Sequence, residues 1–144
     1  MSGIIGGAGS KSGVIGTTEL DYEEGSFTPV MAWGSGGQCN GSGQYTKIGN
    51  VVHIRCHLGD LGSSGASSGT VTTSGLPFAS AEPTGLSWTQ LYRIDLQDYQ
   101  FYVHTSGTAF GLTFAADDGT GSGATETTFN YSSATIGFAG SYRV

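Results

Sequence analysis

Two histidines, an arginine and a cysteine lie within residues 53–57, and a second cysteine, Cys39, precedes them. Imidazole and thiolate groups are the usual protein ligands of zinc, so this cluster raises the question of a metal site. The run alternates apolar and polar residues, which is typical of a half-buried β-strand. On a strand, His53 and His57 would lie about 13 Å apart, on the face opposite to Cys56. This geometry opposes a shared metal, and we predict neither a metal nor another cofactor.

The same alternation predicts a different role for these side chains. Cys56 is interpreted as a small core residue, whereas His53, Arg55 and His57 form a polar ridge on the other face. An arginine flanked by two histidines is suited to pairing with the carboxylates of a neighbouring subunit. We therefore predict that His53, Arg55 and His57 are interface residues, and an isolated surface patch is the alternative.

The two cysteines are too few for a disulfide framework. The N-terminus lacks the basic start and apolar stretch of a signal peptide, which predicts folding in a cytoplasm, where thiols stay reduced. Free thiols are the expectation, and a bridge between Cys39 and Cys56 remains the open alternative.

Carboxylates that could act as a pair in glycan hydrolysis are Asp95, Asp98, Asp117 and Asp118. Asp98 and the Asp117-Asp118-Gly119 run are predicted to occupy turns, where Asp is favoured for its local hydrogen bonds, and Asp95 lies on the polar side of a strand. Their spacing matches no calcium loop. The serines lie in no nucleophile elbow, and the glycine-rich stretches lack the lysine and helix of a phosphate loop. The chain is therefore predicted not to be an enzyme.

Composition limits both the fold and the partners. The 144 residues include 26 Gly together with seven Phe, seven Tyr and two Trp, a mixture that favours short strands joined by tight turns. The net charge is −6 and no basic cluster is present in the sequence, so we predict no nucleic-acid partner. No apolar run reaches the roughly 18 residues of a membrane helix, so no membrane partner is predicted.

Strand-like runs and turn signals alternate along the chain from Ser26 onward, and we count roughly eight or nine strands. This pattern predicts an all-β, antiparallel β-sandwich, jelly-roll-like, with an extended N-terminal arm. The clearest strand is Asn50–Leu58, with Val52, Ile54, Cys56 and Leu58 facing the core. A second long strand, Ser87–Leu96, is predicted to bury the face that carries Trp88, Gln90, Tyr92, Ile94 and Leu96.

The N-terminal region differs in composition from the rest of the chain. We divide the chain into residues 1–25, a glycine-rich arm that ends in an acidic turn, and residues 26–144, the β-sandwich domain. The arm carries two small apolar patches, Ile4-Ile5 and Val14-Ile15, which cannot form a core alone. The arm is either a flexible leader or a segment that orders by docking these patches onto a neighbouring subunit.

Four segments carry a resemblance to a known family. They are residues 11–16 (KSGVIG), 20–30 (LDYEEGSFTPV), 43–52 (GQYTKIGNVV) and 75–78 (GLPF). In this order they resemble a recurrent opening in tail-fibre and other surface proteins of marine and freshwater tailed bacteriophages. The resemblance covers about the first 80 residues and extends to the remainder only in style.

The resemblance implies a β-module of the virion surface, usually trimeric, which assembles in the host cytoplasm. We predict a non-enzymatic capsid decoration or cement protein, a homotrimer that its N-terminal arm anchors to the major capsid protein or to other virion proteins. If Met1 is the native start, no room is left for a fibre shaft before the first motif, and this favours the capsid role. The alternative is a receptor-binding tip domain of a tail fibre, whose ligand would be a host surface glycan.

Overall fold

The computed structural model describes residues 21–33, 38–61, 71–94, 100–115, 121–123 and 134–144. These residues form eleven β-strands and include no helix long and apolar enough to cross a membrane. The strands are β1 (Tyr22–Phe27), β2 (Val30–Trp33), β3 (Gln38–Asn40), β4 (Ser42–Ile48), β5 (Val51–Leu58), β6 (Val71–Ser74), β7 (Gly85–Tyr92), β8 (Gln100–Ser106), β9 (Ala109–Ala115), β10 (Gly121–Gly123) and β11 (Thr135–Arg143). Residues 1–20 of the predicted N-terminal arm, which include Ile4, Ile5, Val14 and Ile15, lie outside the described residues.

The strands form two antiparallel sheets that pack in a sandwich-like arrangement. The larger sheet has eight strands in the order β1-β4-β5-β11-β7-β8-β9-β10, and the smaller has three in the order β3-β2-β6. The C-terminal strand β11 lies at the centre, between β5 and β7. The predicted all-β, antiparallel, sandwich-like fold is confirmed, whereas the division of the strands into sheets of eight and three was not predicted.

Strand β5 follows the alternation predicted for it. Its inward side chains, Val52, Ile54, Cys56 and Leu58, are at most 4% exposed, whereas His53, Arg55 and His57 are exposed. The preceding turn is closed by Gly49, whose φ of 59° lies in the left-handed region that glycine adopts without strain. The predicted core face of β5 is therefore confirmed.

Strand β7 departs from its predicted burial because of a bulge. Its register against β11 shifts between Gly137 and Phe138, and Thr89 is left without an opposite residue. A bulge reverses the alternation of side chains beyond it. Trp88 therefore faces the core, but Gln90 and Tyr92 are exposed, and the prediction that all three share a buried face was wrong.

The acidic segment before Ser26 was expected to be a turn, and this was wrong for Tyr22–Gly25. These residues belong to β1, which pairs with β4 from Tyr22 opposite Ile48 to Phe27 opposite Gly43. Among the described strands, β1 ends the larger sheet. Charged side chains are tolerated at such an edge, where they also discourage pairing with other chains. The boundary predicted between residues 25 and 26 therefore falls inside a strand.

Aromatic side chains fill the core where strands diverge. Trp88 stacks on Phe101 with 4.5 Å between ring centroids, and its indole N–H donates to the Phe101 carbonyl at 2.8 Å. Strands β7 and β8 pair only through Gly85 and Leu86, so the indole bridges the gap that opens beyond them. Phe138 packs on Phe110 at 4.9 Å. These contacts join β7 to β8 and β9 to β11 within the core.

Candidate binding surface

The outer face of the larger sheet carries the predicted interface residues. Directly opposed residues of antiparallel strands point to the same face, so the register sorts this surface into rows. His53 lies between Thr46 and Ser141, Arg55 between Gln44 and Ala139, and His57 between Ser42 and Gly137. The structure therefore places His53, Arg55 and His57 side by side on one exposed face.

A fourth basic residue joins them from the far end of the sequence. Arg143 of β11 pairs with Val51 and is exposed. It has the same parity as Ser141, so it points to the outer face two residues beyond the His53 row. We call His53, Arg55, His57 and Arg143 the basic stripe, which runs about 20 Å along the strands.

The basic stripe contains a large share of the few basic residues in the chain. The whole sequence has five Lys and Arg residues and three His, and the stripe contains two from each group. Within the described part of the chain, none of its four side chains forms an ion pair. His53 is held by a 2.7 Å contact between its Nδ1 and the Ser141 hydroxyl. The two arginines thus present their charge to the surroundings.

A polar groove adjoins the centre of the stripe. Its volume is about 530 Å³, and hydroxyl and amide groups surround Arg55 and His57. The other polar side chains that line it are Ser26, Ser42, Gln44, Thr89 and Gln90. Small residues of β11, Gly137 and Ala139, separate the β5 wall from the β7 wall. The groove can accept a ligand that offers both negative charge and hydrogen-bonding groups.

The edge strand β1 has the opposite charge. Asp21 pairs with Lys47, the Tyr45 hydroxyl donates to Glu23 at 2.6 Å, and the Tyr22 hydroxyl donates to Glu24 at 2.7 Å. Donation to Glu23 raises the pKa of Tyr45, and donation to Glu24 raises that of Tyr22. Carboxylates retain free acceptor positions after one such bond. Asp21, Glu23 and Glu24 form the acidic edge, and all three are exposed.

Both cysteines are buried free thiols. This confirms the predicted reduced state, and no bridge joins Cys39 to Cys56. Burial raises the pKa of Cys56 to about 12, against a smaller lowering by a hydrogen bond with the Phe138 backbone. Burial also raises the pKa of Cys39, whose thiol donates to the Gly59 carbonyl at 2.9 Å. Neither thiol is a nucleophile at neutral pH.

Cys56 faces the core while His53 and His57 face outward, as the strand geometry predicted. Over the ranges that the structure covers, no three His, Cys, Asp or Glu side chains are grouped to hold a metal ion. The aspartates considered for glycan hydrolysis, Asp95, Asp98, Asp117 and Asp118, lie outside the described residues.

Three of the four segments that carry the phage resemblance pack into one unit, and the fourth, residues 11–16, lies outside the described residues. Residues 22–27 and 43–48 are the paired strands β1 and β4. Phe78 of the GLPF segment meets Tyr45 edge-on at 5.2 Å, and the Lys47 ammonium lies 5.9 Å from the Phe78 ring centroid. Gly75, with φ of 93°, approaches the Thr28 carbonyl so closely that a side chain at this position would overlap it. Three separate stretches of sequence thus share one set of contacts.

No protein-family model matches this chain, and no curated protein is significantly similar to it.

Arg143 is the member of the stripe that sequence reasoning missed. The alternation of Ile136, Phe138 and Tyr142 already indicated an outward side chain at Arg143. What the sequence could not indicate is that β11 pairs with β5, because the two strands are separated by more than half of the chain.

Proposed function

We propose that the chain is a non-enzymatic structural module of the surface of a tailed-phage particle, a homotrimeric capsid decoration or cement protein. The observation that carries the proposal is the packing of the phage-like segments. Residues 22–30, 43–52 and 75–78 meet through the β1–β4 register and the Tyr45–Phe78 contact. A likeness in three distant stretches that form one contact set points to a shared structural unit rather than to chance similarity in composition.

The chemistry of the surface supports a binding role over catalysis. Within the described ranges, the groove beside Arg55 contains hydroxyl, amide, imidazole and guanidinium groups but no carboxylate among its lining residues. Glycoside hydrolysis requires a pair of carboxylates across a cleft. The buried thiols of Cys39 and Cys56 supply no nucleophile. What remains is a surface suited to contacts with other molecules.

The second candidate is a receptor-binding tip domain of a tail fibre. The observation in its favour is the same groove, whose volume of about 530 Å³ is within the range of small-ligand sites. In this role the groove would take a polar ligand from the host surface, and the virion would carry the chain at its tail.

Immunogold labelling of the phage particles whose genome encodes the chain separates these roles. Antibodies raised against the recombinant protein should label the capsid surface at many sites per particle. Labelling confined to fibre ends supports the tip domain instead. If purified particles are unlabelled although infected cells contain the protein, the virion proposal is wrong.

A further inference from the structure

We propose that the basic stripe is the docking site for the acidic edge of a second copy of this chain. The inference rests on the homo-oligomer in the proposed function, for which it names the contact surface. Two oppositely charged surfaces on one chain are what a head-to-tail contact between identical subunits requires.

Basic and acidic residues lie on different parts of the larger sheet. The chain has eleven acidic and five Lys or Arg residues, so an evenly mixed surface would carry about two carboxylates for each Lys or Arg. Instead, the outer face of β5 and β11 carries Arg55, Arg143 and two histidines, and no acidic residue belongs to either strand. Three exposed carboxylates lie on or beside the edge strand β1, and Glu24 among them is on the same outer face as the stripe.

The basic stripe and the acidic edge cannot pair with each other within one chain. Glu24 and His53 occupy the same row, but Thr46 of β4 lies between them. Strands two places apart are separated by about 10 Å, which is beyond the reach of an ion pair between side chains that both stand upright on the sheet. The charges of Glu23, Glu24 and the stripe are therefore available to another copy, whereas Asp21 pairs with Lys47 of its own chain.

A row of exposed apolar side chains lies beside the basic stripe. In the row of Arg143 the outer face carries Tyr22, Ile48 and Val51, and Tyr22 and Ile48 are 54% and 39% exposed. Exposed charge pairs alone hold subunits weakly, whereas an apolar row next to them adds burial on association. A second copy offers both kinds of contact, because its Tyr22 stands next to its acidic edge. A small acidic ligand would use the charges and leave the apolar row uncovered.

Charge reversal tests the docking by light scattering of the full chain. Arg55→Glu should shift the protein at low salt from an oligomer toward the 14.7 kDa chain mass, and Glu24→Arg should do the same. The double variant Arg55→Glu/Glu24→Arg should recover the oligomer, since it restores opposite charges. Raising the salt to about 1 M, where the Debye length is about 3 Å, should dissociate the wild-type protein.

Two controls separate the contact from general effects of charge. Gln100→Glu adds negative charge on β8 and Glu82→Arg adds positive charge on an exposed loop, and both should leave the mass unchanged. An oligomer that survives Arg55→Glu, or a double variant that stays dissociated, overturns the docking but not the virion role. A monomeric wild-type protein at low salt overturns the docking and the trimer together. If such a monomer shows saturable NMR shifts of the Arg55 and His57 amides with glucuronate, the stripe serves a small acidic ligand instead. Immunogold location is independent of all these results.

Discussion

Ile54 and Ile48 are the same residue type on neighbouring strands, yet only Ile54 lies inside the sandwich. Ile54 of β5 is 4% exposed, and Ile48 of β4 is 39% exposed. Ile54→Asp places an unpaired carboxylate among apolar side chains. We expect a loss of at least about 4 kcal/mol, a large part of the ~5–15 kcal/mol that a domain has, so the variant should not fold. Circular dichroism and solubility measure this outcome.

Ile48→Asp is the matched control, because the new charge remains in contact with water. Compared in the Arg55→Glu background, which keeps the chain monomeric, its unfolding free energy should stay within about 1 kcal/mol of the parent protein in urea titrations. A soluble Ile54→Asp protein that unfolds cooperatively would show that β5 does not form the core.

The pKa of Cys56 predicts how stability depends on pH. The folded thiol ionises at about 12, whereas in the unfolded chain it ionises near 9.0. Between these values the unfolded chain loses a proton that the folded chain retains, so stability is complete below about pH 9 and declines above it. The decline should reach about 1 kcal/mol between about pH 9 and pH 10 and approach about 1.4 kcal/mol per pH unit at higher pH.

Urea unfolding of wild type and Cys56→Ala across this range checks the prediction. The variant loses core packing at every pH, but its stability should fall less steeply. The remaining slope comes from Cys39 and from the tyrosines whose pKa is raised in the folded chain, Tyr22, Tyr45 and Tyr142. Parallel curves for the two proteins would mean that Cys56 is not the group responsible.

Two cross-strand pairs, each of a glycine and an aromatic residue, connect strands β1 and β4. Phe27 lies directly opposite Gly43, and Tyr45 directly opposite Gly25. In each pair the ring covers the glycine, and a Cβ there would overlap it. The ring shields backbone that a glycine would otherwise leave exposed at the sheet edge. The same arrangement recurs between His104 and Gly111 on β8 and β9.

Gly43→Ala should therefore displace the Phe27 ring and destabilise the protein by about 1–3 kcal/mol in urea unfolding. Gly85→Ala is the control, because nothing lies within 4 Å of a Cβ at Gly85. It should be neutral or slightly stabilising. In a Phe27→Ala background the cost of Gly43→Ala should nearly vanish, since the two sites are coupled. Additive effects would argue against the ring–glycine contact.

Local alternation sufficed to predict elements that are regular, and it failed where a strand is irregular. Strand β5 alternates over its whole length and was predicted with its faces correctly assigned. In β7 the bulge at Thr89 reverses the faces, and such a bulge depends on the partner strand β11, which the local sequence does not reveal. In β1 the glutamates indicated a turn, because the sequence does not reveal that this strand lies at an edge.

The candidate surface could be predicted only where its residues lie on one strand. His53, Arg55 and His57 share a face because they alternate on one strand. Arg143 joins them through the pairing of β11 with β5, a contact between distant parts of the chain. Tertiary pairing of this kind sets which surface residues become neighbours, so the stripe as a unit emerged only from the fold.

The whole molecule combines a sheet with fixed charge positions and an N-terminal segment of different composition. The apolar residues Ile4, Ile5, Val14 and Ile15 lie outside the described residues, and their role stays a prediction from the sequence. Burying four such side chains against a neighbour contributes about 6 to 10 kcal/mol gross, at ~1.5–3 kcal/mol each. Ordering a flexible segment costs about 1 to 2 kcal/mol per residue, which is enough to cancel that gain.

Anchoring through these residues therefore requires backbone pairing with a strand edge of the neighbour in addition to side-chain burial. Deletion of residues 2–16 should leave the β-sandwich folded, because the described sheet starts at β1 and all of its pairings remain. Circular dichroism and urea unfolding should be close to those of the full chain. The truncated protein should nevertheless lose attachment to capsids in co-sedimentation, while Gly85→Ala in the full-length chain should bind normally. Full occupancy of particles by the truncated protein would show that the apolar patches do not anchor it.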